Sequence, residues 1–353
     1  MDNNPLQHRF FQHLKTLLPA YKSLVDEVSD ILEISTDSAY RRIRGEKMIN
    51  LEEIKKISQH FKISLDQLMN LNSDAILFHG KLNDQSENRF TSWLEDILKQ
   101  LEMVNKHQHK HIYFLLKDIP PFYHFYFKEL TYFKFFFWMR SILYYERFKN
   151  ESFDSKINHF EQYDGLIQKI LKFYNKTPTT EIWNVESINT TVRQIDSYHE
   201  MGIISNIADS QLIYQQLLNL VDHIEKQAEL GKKFNPNCGP EPDNAPYRLL
   251  VNEFILGDNT FMAEMDDKKI TYLNHSVLYF IGSMDPRLND AMFGNLENLI
   301  KKSSMISTVG EKERIRFFKD LRSKIYSSMT RAGLSSTLIP LEQPEDASKT
   351  AEK

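Results

Sequence analysis

The chain has 353 residues, 41% hydrophobic and 26% charged, with 11 glycines, 12 prolines and a formal net charge of -4. That length exceeds a single small binding module and suits two or three domains with their own cores, while the composition excludes a fibrous or low-complexity chain. The mild net charge excludes a polycation that coats nucleic acid indiscriminately, so nucleic-acid binding has to rest on a local patch.

The chain opens with MDNNPLQHRFFQHLK, which lacks the apolar run and small-residue cleavage site of a secretory signal. Its single cysteine, Cys238, cannot form an intrachain disulfide; this fits a reducing compartment, and a cytoplasmic location is expected. Phe10, Leu14 and Leu17 share one face of a first helix that stops before Pro19. Ser23, with Asp26 following at cap spacing, opens a second helix bearing Leu24, Val28 and Leu32. Only Glu33 and Ile34 separate it from Ser35, the cap of a third helix over Thr36–Arg44, which Gly45 ends. Short helices joined so tightly cross steeply, and the second projects from the surface. Asn50 caps a fourth helix with Leu51, Ile54, Ile57 and Phe61 on its buried face. Ser64 and Gln67 form a capping box for a fifth, with Leu65 and Leu68 inward.

The strings VSDILEIS (28–35), SAYRRIRG (38–45), NLEEI (50–54) and FKISLDQL (61–68), in this order and spacing, resemble the Cro/repressor (Xre-like) helix-turn-helix family. The AYRRIRG string also resembles the narrower group of bacterial regulators with a BetR-like N-terminal domain. The resemblance implies that the third helix docks in the major groove of double-stranded DNA, with Thr36, Asp37 and Arg41 facing bases. It places Arg44, Lys47 and Asn50 at phosphate-contacting positions, and Ser35 and Ser38 at the helix N-terminus that approaches the backbone. A guanidinium can donate to both O6 and N7 of guanine, and Asp can accept from cytosine N4. Arg42 stands where the family has an apolar residue and Ile43 where it has a polar one, so a rotation of the helix would exchange Arg41 and Arg42. Both stay in the candidate DNA-contacting set. Glu33 stands where the family's turn commonly has glycine, which suits a backbone that avoids positive φ. Residues 1–72 hold ten Lys/Arg and ten Asp/Glu, yet within 41–47 Arg41, Arg42, Arg44 and Lys47 oppose only Glu46. That local excess suits phosphate contact.

Residues 73–86 read as a linker and 87–232 as a helical, aromatic-rich domain. Within its aromatic stretch from Ile112 to Phe148 the longest uncharged run, Ile119–Phe127, contains Pro120 and Pro121 and falls well short of the ~20 apolar residues of a membrane span. Rings crowd residues 122–148, more than one helix can aim into one stripe. A packed core, a dimer interface or a ring-lined small-molecule pocket would each use them. His107 and His111 would share a face if helical, but no Cys or acidic partner stands nearby, and a solvated polar face is expected.

The proline-rich segment 233–247 reads as a second linker. In residues 248–330, Phe254–Leu256, Thr260–Met265 and Lys269–Leu273 suggest a small antiparallel β-meander, with Val277–Met284 left open between strand and helix. Leu296, Leu299 and Ile300 have helical spacing, and Thr308 with Glu311 resembles a capping box before a last amphipathic helix. Residues 331–353 read as a disordered tail. The expected class is mainly α: a five-helix N-terminal domain, a central helical domain and a small C-terminal α+β region. Phosphate-loop, dinucleotide, zinc-protease and nucleophile-elbow motifs are absent from the sequence, so neither catalysis nor a cofactor is expected. The sequence therefore points to a DNA-binding transcriptional regulator, homodimeric by family pattern, with a small-molecule or protein effector for its larger part. The alternative is a protein-interaction adaptor that keeps the fold without binding DNA.

Overall fold

The computed structural model describes residues 5–19, 21–61, 63, 65, 75–80, 88–157, 160–253 and 259–334. The chain divides into two compact units, residues 1–77 and 78–353. The Ser64–Gln67 cap, Leu68, the Phe254–Leu256 strand and the chain beyond 334 lie outside the described residues.

In the first unit, helices α1 (Pro5–Leu17), α2 (Leu24–Leu32), α3 (Thr36–Ile43) and α4 (Leu51–Phe61) follow the expected order. Ser23 Oγ accepts from the Asp26 amide at 3.4 Å and Ser35 Oγ from the Ser38 amide at 3.3 Å, so both caps start their helices. Asn50 and Glu53 form a reciprocal box: Asn50 Oδ1 accepts from the Glu53 amide at 2.9 Å, and Glu53 Oε2 from the Asn50 amide at 3.1 Å. Phe10, Phe11, Leu14, Val28, Leu32, Ala39 and Ile57 make the core. Leu17 and Leu51, expected on buried faces, are exposed.

The larger unit is built on one mixed sheet, with strands β1 (His79–Gly80), β2 (Lys110–Leu115), β3 (Thr179–Trp183), β4 (Tyr247–Val251), β5 (Thr260–Met265), β6 (Lys268–Asn274), β7 (Phe280–Ser283) and β8 (Ser304–Met305). Their spatial order is β1-β7-β6-β5-β2-β3-β4-β8. The centre β2-β3-β4 is parallel, and every other pairing is antiparallel. Parallel neighbours need long crossovers, and helices supply them. Between β2 and β3 lie α6 (Pro121–His124), α7 (Lys128–Phe137) and α8 (Asp164–Tyr174); between β3 and β4 lie α9 (Asn189–Glu200) and α10 (Ile207–Leu230). Helix α5 (Arg89–Asn105) precedes β2, while α11 (Pro286–Lys301) and α12 (Glu311–Arg331) follow the last long strand.

Side chains alternate across the sheet as a two-residue period requires. Ile112, Phe114, Trp183 and Leu249 face the main core, into which most helices feed. Tyr113, Leu115, Ile182 and Leu250 face the opposite side, under Phe293 and Leu296 of α11. The buried rings of residues 122–148 are mostly core. Leu130–Phe136 of α7 are buried all round, so that helix runs through the interior rather than along a surface.

The fold class therefore needs correction. The β structure is an eight-stranded mixed sheet rather than a small meander, and β2 and β3 lie within the stretch expected to be predominantly helical. The meander exists as β5-β6-β7, but β2 and β5 pair, so the sheet joins strands from both sides of the proline-rich segment. Residue Lys233 of that segment is fully buried, and its Nζ donates to the Tyr174 carbonyl at 3.1 Å. Val277–Met284 resolves as β7. The Thr308–Glu311 capping box does not form: α12 starts after Gly310, which has φ 65° and no side-chain cap. A Cβ at Gly310 would meet the Met305 carbonyl oxygen at 2.5 Å, so glycine is required there. His107 follows α5 and His111 lies on β2, so they do not share a helical face. His111 Nε2 lies 2.8 Å from Thr180 Oγ1, and burial pushes its pKa down to about 4.

Candidate nucleic-acid interface

The turn between α2 and α3 sets the site. Glu33 ends α2 in the left-handed conformation (φ 54°, ψ 45°), its amide donating to the Asp30 carbonyl. The Ile34 amide donates to the Ser29 carbonyl at 3.1 Å, and Ser29 Oγ donates back to the Ile34 carbonyl at 2.6 Å. Ala39, fully buried, lets α3 pack closely on the unit's core. The opposite face of α3 is left in solvent.

That face carries Thr36, Asp37, Tyr40, Arg41 and Arg44, all exposed, with Ser35 exposed at the N-cap and Ser38 half-buried. Lys47 and Asn50 are exposed on the following loop. The structure thus brings most of the sequence-derived set onto one surface. Arg42 is the exception. Its side chain is 6% exposed and grips Glu53, Nη2 to Oε1 at 2.6 Å and Nε to Oε2 at 3.1 Å, while Nη1 donates to the Ser38 carbonyl at 3.1 Å. A guanidinium so enclosed has its donors spent inside the unit. Between the arginines left open by the sequence, Arg41 is the exposed one, at 54% of its side chain.

Two contributors escaped the sequence. Tyr40 stands on the exposed face between Thr36 and Arg44 at helical spacing, with the Arg44 guanidinium 5.3 Å from its ring centre. Gln7 of α1 is buried and clamps the loop after α3. Its Nε2 donates to the carbonyls of Arg42 (2.6 Å) and Lys47 (2.8 Å), and its Oε1 accepts from the Ile49 amide at 3.1 Å. The Thr36/Tyr40/Arg44 spacing could have disclosed the first; nothing local to Gln7 discloses the second.

The electrostatics are mixed. Arg41, Arg44 and Lys47 supply cations, and Glu46 stands 3.9 Å from Arg41 Nε and 3.6 Å from Arg44 Nη1. Exposed pairs of this kind are weak and break readily when a stronger anion such as phosphate competes. Inside the unit, the Arg42 hydrogen bond holds the Glu53 carboxyl below the usual glutamate range.

No curated protein and no solved structure matches the chain. A protein-family model does: residues 8–99 match the BetR domain, a stretch that begins in α1, spans the helix-turn-helix and reaches into α5. The N-terminal region is therefore BetR-like.

Proposed function

We propose that this protein is a sequence-specific DNA-binding transcriptional regulator. The reading rests on the exposed face of α3, where Thr36, Asp37, Tyr40, Arg41 and Arg44 converge beside Lys47 on a BetR-like unit. In this reading α3 enters the major groove, Arg41 and Asp37 read base edges, and Arg44 and Lys47 contact phosphate. The chain acts as a homodimer on paired half-sites, as protein two-fold symmetry would require, and its larger unit holds the dimer together or senses an effector.

The test is selection of bound sequences from random duplex DNA by the full chain, followed by salt titrations of wild type, Arg41→Ala and Arg42→Ala. A regulator gives an enriched motif and an affinity that falls steeply with salt. Arg41→Ala should cost about 1–3 kcal/mol of binding and relax selectivity at one position, with folding unchanged. Absence of any enriched sequence at low salt would instead make the chain a protein-interaction adaptor.

A further inference from the structure

The larger unit contains a cavity of about 420 Å³ between α5, the sheet, the segment after β2, and the end of α7. Its walls are apolar, with Trp93, Phe114, Phe122, Trp138 and Phe261 presenting rings. The volume falls in the ~300–1,000 Å³ range of small-molecule sites, which combine apolar walls with a few placed polar groups. Here the placed polar group is an amine. Lys134 projects from the buried stretch of α7 into the cavity and is 4% exposed.

Three features make this lysine unusual. An ammonium taken out of water is normally matched by a carboxylate, because an unpaired buried charge is costly. Among the described residues, Lys134 Nζ has only neutral partners within hydrogen-bond reach, Gln194 Oε1 at 2.6 Å and Thr191 Oγ1 at 3.4 Å, with the Trp138 ring 5.2 Å away. An ammonium has three donors, so one is left over. Asp118 favours the charged form from beyond ion-pair distance and is itself engaged by the Thr190 hydroxyl. Directly after α7, at Trp138–Ile142, the helix widens into a π-turn, an irregularity found mainly where function retains it.

We propose that this cavity binds an amphipathic monocarboxylate, its apolar body against the rings and its carboxylate on the Lys134 ammonium. A single charge is favoured over a phosphate-like dianion because, among the described residues, Lys134 is the only Lys or Arg in the lining, which also contains Asp96 and Asp118. A cationic ligand would meet the amine. A neutral apolar ligand would give the charged form of Lys134 neither a counter-charge nor an acceptor for its third donor. The site stands independently of DNA binding by the first unit and needs no second chain.

Protonation follows from the same geometry. Burial lowers Lys134 to about 7, opposed by Asp118. His124, also buried and lowered, lies behind Thr191, which its Nε2 approaches to 3.2 Å; His79, Asp96, Tyr272 and Tyr279 are the other titratable groups among the described residues of the lining, and burial raises Tyr272. A carboxylate on the amine restores the charged form. Binding above pH 7 therefore takes up a proton.

The full chain, without DNA, is titrated calorimetrically at pH 8 with dodecanoate, 2-naphthoate and dodecanol, each in two buffers of different ionisation enthalpy. At least one carboxylate should bind with net proton uptake; which one does distinguishes a chain from a ring body. For a chain body, dodecanol should bind about tenfold or more weakly than dodecanoate. Lys134→Met fills similar volume, and should erase the preference for the acid and the proton uptake together. The proposal is overturned if neither carboxylate binds, if wild type binds the acid without taking up protons, or if Lys134→Met keeps the acid preference. The proton measurement on wild type stands even if the variant fails to fold.

Discussion

At the scale of single residues, neighbours in the sequence play opposite parts. Arg41 is solvent-facing and Arg42 is structural, because at 100° per residue one points away from the core when the next points into it. Arg42→Ala should destabilise the first unit by about 2–3 kcal/mol, since it strips Glu53 of its partner in a largely enclosed site. The same pair sets an acid limit. Glu53's folded pKa is depressed below 4.5, so its contribution is present above that value and is lost as pH falls through the folded pKa. Chemical denaturation of the first unit between pH 6 and about 3 should show this decline, and Glu53→Gln should flatten it; an unchanged slope would dissociate the pair from stability. Glu33 carries a cost of another kind. A left-handed conformation costs a side-chain-bearing residue roughly 1–2 kcal/mol, and glycine gives back part of that through its freer unfolded chain. Glu33→Gly should therefore stabilise by a net of about 0.5–1 kcal/mol, read as an upward shift in denaturation midpoint. The family resemblance implies glycine here, and the expectation that Glu33 avoids positive φ is overturned: the chain keeps φ 54° without glycine.

At the scale of elements, legibility follows how local the causes are. The caps at Ser23, Ser35 and Asn50 act within one turn, so the helix-turn-helix spacing could be read directly. The β5 and β6 strands could be read because short turns and alternating side chains mark them. Strand β3 could not. All its residues are buried, with helices on one side and α11 on the other, so Thr-Thr-Glu-Ile-Trp shows no polar/apolar alternation. Its Glu181 looks like a surface residue until the fold surrounds it: Oε1 accepts from Tyr123 and Tyr174, each at 2.9 Å, and Oε2 from Trp183 Nε1 at 2.9 Å. The same limit hid the Gln7 clamp, whose partners lie 35 to 42 residues away. Gln7→Ala leaves the Ile49 amide and the carbonyls of Arg42 and Lys47 without that partner, and should cost about 2–3 kcal/mol. In the regulator reading it should also weaken DNA binding by loosening the loop that carries Lys47 and Asn50. Melting and binding measured on the same variant check both effects, and a variant with unchanged stability would show that water replaces the clamp.

At the scale of the whole molecule, the two units have separate cores of unequal size. The smaller rests on a handful of fully buried apolar side chains around Leu14, Val28 and Ile57, whereas the larger joins a sheet and its helices into one extended core. Small domains bury a lower fraction of their surface and keep less stability in reserve. Denaturant unfolding should therefore show two transitions rather than one, the smaller unit opening first. Leu14→Ala, at a site with no solvent exposure, should lower only the first transition, by about 2–5 kcal/mol. Glu181→Leu should lower only the second. It orphans the buried donors of Tyr123, Tyr174 and Trp183, and removes the carboxylate that favours the charged form of buried Lys233. Breaking such a buried charged network costs about 3–5 kcal/mol. Tryptophan fluorescence reports the second transition alone, because Trp93, Trp138 and Trp183 all lie in the larger unit, while helical circular dichroism reports both. If fluorescence and dichroism coincide in wild type, or if Leu14→Ala moves the fluorescence midpoint, the units fold as one cooperative body and the separation of their cores is energetically empty.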